Sequence, residues 1–154
     1  KVKSVTVDIG QAVPTEDLTL NVDGKTVVLT PVSVGNPHAV IFVDDIEKAP
    51  LTTLGPKIEH HEAFADGVNV EFVQVLGNSE LRMRVWERGS GVTMACGTGA
   101  CASAVVAVKK KYCAYCEPIS VHLDGGTLKI TVTPDNKVTM TGPAEFVYEG
   151  ETME

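Results

Sequence analysis

The sequence lacks the features that would indicate a membrane, secreted or nucleic-acid-binding protein. No apolar run approaches the roughly 20 residues that cross a bilayer, and no segment resembles a signal peptide, so we expect a cytosolic protein without a membrane partner. Basic residues are outnumbered, with 13 Lys and Arg against 20 Asp and Glu, and the net charge is −7. This excess of negative charge argues against nucleic acid as the main partner.

Repeats and low-complexity linkers are also missing, which favours one domain. The 154 residues are enough to bury a substantial core. The content of 44% apolar and 21% charged residues is ordinary for a globular protein. The chain begins at Lys1 rather than Met and enters strand-like sequence at once. We therefore expect residues 1–154 to be a single domain of a longer protein.

The sequence shows no metal-binding or disulfide framework. Its four cysteines are expected to be free thiols, because a cytosolic protein keeps its thiols reduced. The CxxC pair in "CAYC", residues 113–116, lacks the second pair of ligands that a zinc site requires, and it follows a helix where a redox motif would precede one. The adjacent His60 and His61 would face different ways on a helix, which favours a solvated helix end. We therefore predict no metal site.

Most of the chain predicts short strands separated by turns. Two hairpins are indicated, one turning at residues 23–24 and one at residues 77–79. Three or four further strands follow over residues 118–150. A first helix, packed on the surface, is predicted over residues 49–61, because its apolar residues recur at helical spacing.

A second helix is predicted over residues 97–110, and its composition is unusual. Between Gly99 and Val108 the only polar groups are the hydroxyl of Ser103 and the weak thiol of Cys101. A helix that is apolar on every side is buried on every side, and its small residues let neighbours approach closely. We therefore predict an α+β fold in which an antiparallel-rich mixed sheet curls as a barrel around this central helix.

Cys96 lies at the amino end of the predicted central helix, where backbone N–H groups lack acceptors and the helix dipole is positive. Both effects should lower the pKa of its thiol. The N–H groups of Gly97, Thr98 and Gly99 could hold a carboxylate, to which glycine permits a close approach. A base beside a bound carboxylate is what the removal of an α proton requires. The alternative for Cys96 is a buried cysteine in a glycine-rich turn. Cys101 lies inside the apolar run, and we interpret it as part of the core.

A further set of polar residues offers amide, imidazole, carboxylate and guanidinium groups near turns and strand ends. Each residue has an ordinary alternative: the two asparagines as turn residues, the histidine as a surface residue, and the Glu-Arg pair as exposed charges. Together they suit a zwitterionic amino acid as substrate. They are Asn36, His38, Asn69, Glu87 and Arg88.

Three segments, "VSVGNPHAVIFVDD", "GVNVEFVQV" and "RVWERGSGVTMACGTGACASAVVA", closely resemble the diaminopimelate epimerase family. The resemblance covers nearly the whole chain and matches it to the carboxyl-terminal half of such an enzyme. It implies a racemase that needs no cofactor and has two similar halves, each wrapping strands around a helix. The implied reaction interconverts LL- and meso-diaminopimelate for lysine and cell-wall precursor biosynthesis. One cysteine from each half then acts on opposite faces of the substrate.

The resemblance also implies roles for individual residues. Cys96 corresponds to the catalytic cysteine of this half, and Gly97 and Thr98 to the backbone that binds the substrate carboxylate. The residues that correspond to binding groups for the distal end of the substrate are Asn36, Asn69 and Arg88. Those that correspond to groups tuning the pKa of the cysteines are Glu87, which also contacts the substrate, and His38.

The second cysteine loop of the family, similar to Cys-Gly-Asn-Gly, is absent from these 154 residues. We therefore expect the chain to be inactive alone and to require diaminopimelate and an amino-terminal half of the same enzyme as partners, with a homodimer left open. Three alternatives remain: another racemase independent of pyridoxal phosphate, a non-catalytic truncated domain, and a cysteine hydrolase. In the hydrolase Cys96 would be the nucleophile and His38 the base.

Overall fold

A computed structural model describes residues 1–153, which form eleven strands, one 3-10 turn and two α-helices. The strands are β1 Ser4–Gln11, β2 Val13–Pro14, β3 Leu18–Val22, β4 Lys25–Ser33, β5 Pro37–Phe42, β6 Asn69–Gly77, β7 Glu80–Glu87, β8 Gly91–Thr93, β9 Ile119–Leu123, β10 Gly126–Val132 and β11 Lys137–Pro143. The helices are α1 Leu51–Glu59 and α2 Gly97–Lys109, and the 3-10 turn is Ile46–Lys48.

The strands form one mixed sheet that is nearly closed as a barrel. Neighbouring strands follow the order β1-β11-β10-β9-β7-β6-β5-β4-β2, with β3 paired to β4 and β8 paired to β7. The two end strands of this path, β1 and β2, are consecutive in the chain and separated only by Ala12. The N–H of Ala12 donates to the carbonyl of Asn136 at 2.8 Å. The chain itself therefore joins the two edges of the sheet, which confirms the predicted barrel.

Two of the strand pairs are parallel, β5 with β6 and β7 with β9, and the other pairs are antiparallel. Parallel neighbours need a crossover connection, and the two helices lie in these connections. Helix α2 runs through the inside of the barrel, with every residue from Gly99 to Val108 buried. The predicted central helix is confirmed, and it ends one residue earlier than expected, at Lys109.

Helix α1 packs on the outside of the same sheet. Its buried residues Leu51 and Ile58 join a cluster with Val70 and Phe72 of β6, whereas Val73 of β6 belongs to the inner cluster around α2. Since successive side chains of a strand point to opposite faces, Asn69 and Glu71 lie on the inner side with Val73. The same alternation on β5 and β7 places His38 and Glu87 inside. Polar groups therefore collect at the barrel end where α2 begins.

Other sequence predictions can be compared directly with the fold. The first hairpin turns at Asp23 and Gly24, which have φ values of 51° and 79°, as expected for a two-residue hairpin turn. All four cysteines are free thiols, with Cys113 buried and Cys116 exposed. Within residues 1–153, no group of three metal-ligating side chains is assembled. In the same range, neither helix has the length and apolar character needed to cross a bilayer.

Candidate active site

Cys96 is the N-cap residue of α2, with an extended backbone at φ −143°. Its Sγ accepts a hydrogen bond from the N–H of Gly99 at 3.3 Å, and the hydroxyl of Thr98 lies 3.8 Å from it. The carbonyl of Cys96 accepts from the N–H of Ala100 at 3.0 Å. These contacts hold a half-buried thiol at the amino end of the central helix, as predicted.

The pKa of the Cys96 thiol is raised to about 11, and the sequence-based prediction of a lowered pKa is wrong for this chain. Burial is the largest cause, and the nearby acids Glu71 and Glu87 add to it in so far as they are ionised. The hydrogen bonds from Gly99 and Thr98 lower the pKa, as the helix-end argument requires. Burial and the nearby acids outweigh these hydrogen bonds. The sequence did not reveal how many acidic groups share this end of the barrel.

His38 and Asn36 link the interior of the barrel to the helix end. The Nδ1 of His38 lies 2.6 Å from Glu71 Oε1, and its Nε2 lies 3.0 Å from Asn36 Oδ1. The amide nitrogen of Asn36 donates to the hydroxyl of Thr98 at 3.2 Å. His38 is 1% exposed and Glu71 0%. The structure thus brings three predicted residues together and adds Glu71 to them.

Asn69 and Arg88 connect neighbouring loops at the rim of the site. The amide oxygen of Asn69 accepts from the backbone N–H of Arg88 at 2.8 Å, and its amide nitrogen donates to the carbonyl of Pro37 at 3.0 Å. The guanidinium of Arg88 is exposed and donates to the carbonyl of Asp66 at 3.1 Å. Asn69 therefore fixes the backbone at Arg88, whose guanidinium lies at the exposed rim.

Glu87 is held in the β7–β8 hairpin, where its Oε1 accepts from the hydroxyl of Thr93 at 2.5 Å. The hairpin is anchored from outside by Glu59, the last residue of α1. Glu59 accepts from the Trp86 ring N–H at 2.9 Å and from the Gly89 N–H at 3.0 Å. The Trp86 hydrogen bond is the main cause that lowers the pKa of Glu59. Sequence reasoning missed this anchor, because an acid near a helix end resembles an ordinary surface charge.

Sequence reasoning also missed Glu71 and the packing role of Gly99. Glu71 interrupts a buried strand between Val70 and Phe72, and that lone acid was the available signal. A Cβ on Gly99 would lie 2.8 Å from Glu71 Oε1 and 3.0 Å from Cys96 Sγ. Gly99 is therefore needed for the close approach of these two side chains, and the close approach of a ligand that the sequence suggested stays a prediction.

The site offers one thiol for proton transfer at the helix end. Cys101 is fully buried, and burial raises its pKa to about 12, so it belongs to the core as predicted. Cys113 and Cys116 follow the carboxyl end of α2. In the described part of the chain, Cys96 is therefore the one thiol at the amino end of α2.

Comparison with known proteins places this arrangement in context. The family model for diaminopimelate epimerase matches residues 30–147. A diaminopimelate epimerase of Bacillus cytotoxicus is 60% identical over 121 residues, which cover 79% of this chain and 42% of that protein. One of Geobacillus thermodenitrificans is 51% identical over 97% of this chain and 57% of its own length. The chain thus spans about half the length of these relatives.

A solved structure with a similar fold is a hydroxyproline epimerase from Agrobacterium vitis. It superposes with a TM-score of 0.68 over 96% of this chain and 52% of the other, at 16% sequence identity. At that identity the likeness concerns the fold alone, and it agrees with the barrel around a central helix.

Proposed function

The chain belongs to the diaminopimelate epimerase family, and from that premise we propose that it forms the carboxyl-terminal half of an enzyme that interconverts LL- and meso-diaminopimelate. Residues 1–154 would make one domain of this enzyme, which acts in the cytosol in lysine and cell-wall precursor biosynthesis and needs no cofactor. The observation that carries the proposal is the half-buried thiol of Cys96, which caps the amino end of the central helix.

In the proposed reaction, the helix end binds the α-carboxylate and Cys96 exchanges the α proton. The N–H groups of Gly97 and Thr98 lie in the first turn of α2, where they have no intrahelical acceptors. A carboxylate held there gains stabilisation when the Cα–H bond breaks and its electron pair moves toward that group. The raised pKa of Cys96 favours its thiol form at neutral pH. This suits the delivery of a proton from one face of the stereocentre.

The opposite face requires a second thiol, which we place in an amino-terminal half. In one direction that group removes the α proton as a thiolate, and Cys96 donates its own proton to the other face. In the reverse direction the roles exchange, because a reversible reaction uses the same path both ways. The chain alone should therefore be inactive.

The remaining residues are proposed to bind the distal end of the substrate or to tune the thiol. The exposed guanidinium of Arg88 can hold a carboxylate through two parallel hydrogen bonds. The amide nitrogens of Asn36 and Asn69 each donate one N–H within the protein, which leaves a second N–H for a ligand. Glu87 and His38 act on the protonation of Cys96, and Glu87 also contacts the substrate.

The cysteine hydrolase alternative is disfavoured by the position of His38. A catalytic base must reach the nucleophile, but both ring nitrogens of His38 are engaged, one by Glu71 and one by Asn36. The ring is also 1% exposed, so it has no access to an incoming acyl group.

The test is to combine the chain with the amino-terminal half of the Bacillus cytotoxicus relative and supply LL-diaminopimelate in deuterated water. We expect conversion to the meso isomer with deuterium at the α carbon. Cys96→Ala should abolish both, whereas the matched Cys101→Ala should retain them in proportion to the folded protein. Conversion by the chain alone, or equal loss in two folded variants, would contradict the proposal.

A further inference from the structure

Glu71 is a buried acid that the proposed reaction does not use. It lies on the inner face of β6 and is 0% exposed. Its Oε2 is, among residues 1–153, the one fully buried side-chain oxygen or nitrogen without a hydrogen-bond partner. An ionised carboxylate in such a place is costly unless both oxygens are satisfied. The position therefore calls for a reason beyond packing.

A continuous series of contacts leads from Glu71 to the thiol. Glu71 Oε1 is 2.6 Å from His38 Nδ1, and His38 Nε2 is 3.0 Å from Asn36 Oδ1. Asn36 donates to Thr98 Oγ1 at 3.2 Å, and Thr98 Oγ1 is 3.8 Å from Cys96 Sγ. The acid also approaches the thiol through space, because both crowd the missing side chain of Gly99.

The positions of the protons follow from the direction of these hydrogen bonds. Since Asn36 donates to Thr98 through its amide nitrogen, its oxygen faces His38, so that Nε2 of His38 must carry a hydrogen. The hydroxyl of Thr98 accepts from Asn36 and keeps its own hydrogen for Cys96 Sγ. Every donor along the path then points toward the sulfur, which favours the thiolate.

The contact between His38 Nδ1 and Glu71 Oε1 holds one more proton. If that proton lies on Oε1, Glu71 is a neutral acid, and the unpartnered Oε2 is a carbonyl oxygen rather than half of a carboxylate. That arrangement lowers the cost of leaving Oε2 without a donor. Burial favours it by raising the pKa of Glu71, against the opposing effect of His38. The facing groups are His38 on β5, Glu87 on β7 and Cys96 at α2, and the charge of Glu87 raises the pKa of Glu71 further.

Given the proposed role of Cys96, we propose that Glu71 is a positioning residue that shares a proton with His38. It fixes the tautomer of His38 that donates through Asn36 and Thr98 toward the sulfur. It also stays neutral beneath the thiol, so that a Cys96 thiolate meets no carboxylate charge at this contact. The pair delivers no proton to the substrate and serves only to set the state of Cys96.

The test measures the alkylation of Cys96 in the chain itself with iodoacetamide between pH 7 and pH 10, resolved by mass spectrometry of the peptide. The exposed thiol of Cys116 serves as the internal standard. Glu71→Gln reproduces a neutral acid and can donate to His38, whereas Glu71→Leu removes the hydrogen bond. Glu80→Gln, at an exposed acid at the start of β7, is the matched control.

We expect Glu71→Gln and Glu80→Gln to alkylate at pH 7 within about twofold of the parent. Glu71→Leu, shown to be folded by circular dichroism, should be slower by roughly tenfold, equivalent to one pH unit of thiolate population. A Glu71→Gln rate several times that of the parent would mean that Glu71 is ionised beneath the thiol and would overturn the proposal. An unchanged pH profile in folded Glu71→Leu, or a Glu71→Gln profile as slow as that of Glu71→Leu, would also overturn it.

This test is separate from that of the reaction, because no substrate is present. If the alkylation profiles behave as expected and the combined halves exchange no deuterium, the proposed function fails while the coupling of Glu71 to Cys96 stands. If exchange occurs and the profiles do not respond to Glu71, the reaction stands and Glu71 has no part in setting Cys96.

Discussion

The two helices have the same place in the topology and opposite places in the barrel. Each lies in a crossover between parallel strands, α1 between β5 and β6 and α2 between β7 and β9. Helix α2 is enclosed on every side, whereas α1 buries one side and exposes the other. The comparison shows that a crossover helix takes the inside position when its side chains are small and apolar all round.

The helices also support the site from opposite sides and with opposite ends. The amino end of α2 carries Cys96, whose sulfur accepts an N–H of the first turn. The carboxyl end of α1 carries Glu59, although a negative charge is unfavourable at that end of a helix dipole. Glu59 is nevertheless stabilised, because Trp86 and Gly89 of the hairpin donate to its two oxygens. One helix therefore presents the thiol, and the other holds the hairpin that carries Glu87.

The largest expected effect distinguishes the enclosed helix from the outer one. Val105 of α2 is 1% exposed, so Val105→Asp buries an unpaired charge and should lower the free energy of unfolding by roughly 4 kcal/mol or more. Thr52→Asp, at an exposed position of α1, should change it by less than about 0.5 kcal/mol. Urea unfolding measures both, and similar midpoints for the two variants would refute the enclosed helix.

A second change tests how closely α1 packs on the sheet. A Cβ on Gly55 would lie 2.7 Å from Cβ and Cγ of Trp86, and these atoms cannot retreat without moving β7. Gly55→Ala should therefore cost about 1–3 kcal/mol of unfolding free energy, despite the better helix propensity of alanine. Gly97→Ala at the start of α2 meets only the flexible end of Met140 and should cost less. The reverse order in urea unfolding would contradict this account of the two contacts.

The third change removes the acid at the end of α1. Glu59→Gln leaves one side-chain oxygen for two donors, and we expect a loss of about 1–2 kcal/mol at pH 7. The folded state lowers the pKa of Glu59, so its stabilising effect is complete above the unfolded pKa and is lost as pH falls through the folded pKa. The stability difference from the parent should thus be constant from pH 7 to pH 5 and shrink below about pH 4. A constant difference down to pH 2 would exclude the charged form as its source.

The smallest expected effect comes from removing an exposed ion pair, and we expect it to be similar for the two helices. Lys57 of α1 pairs with Asp23, and Lys110 beyond α2 pairs with Asp17 at 2.7 Å. Both pairs are at least partly exposed, so Lys57→Ala and Lys110→Ala should each cost less than about 1 kcal/mol. These differences should decrease further in 1 M salt, where charges are screened. A larger loss at Lys110 alone would show that this pair supports the enclosed helix.

Composition and periodicity predicted the features that depend on one segment at a time. The apolar run from Gly99 to Val108 identified the central helix, and the turn at Asp23 and Gly24 identified a hairpin, and both are confirmed. The motif around Cys96 identified the family, which is also confirmed. These predictions succeeded because burial on every side and tight turns leave their mark on neighbouring residues.

The features that were missed or wrongly predicted depend on residues that are distant in the sequence and close in the fold. Glu71 was missed because it alternates with Val70 and Phe72, a pattern that usually places the polar side chain in water. Here the polar side faces the interior, because it lies at the barrel end where α2 begins. The pKa of Cys96 was predicted in the wrong direction for the same reason, since its burial and the nearby acids arise only in the folded chain.

The ladder between β1 and β11 links the enclosure of α2 to the folding of the barrel. In this ladder Ser4 of β1 lies opposite Pro143 of β11, so it joins strands that are far apart in the sequence. A contact of such long range forms only after a large loss of chain entropy. Helix α2 cannot leave the barrel while that ladder is formed. The ladder in turn lacks a packed core beneath it until the helix is inside. Opening this ladder and releasing the helix should therefore form one cooperative unfolding unit, with shared protection of their amides from hydrogen exchange.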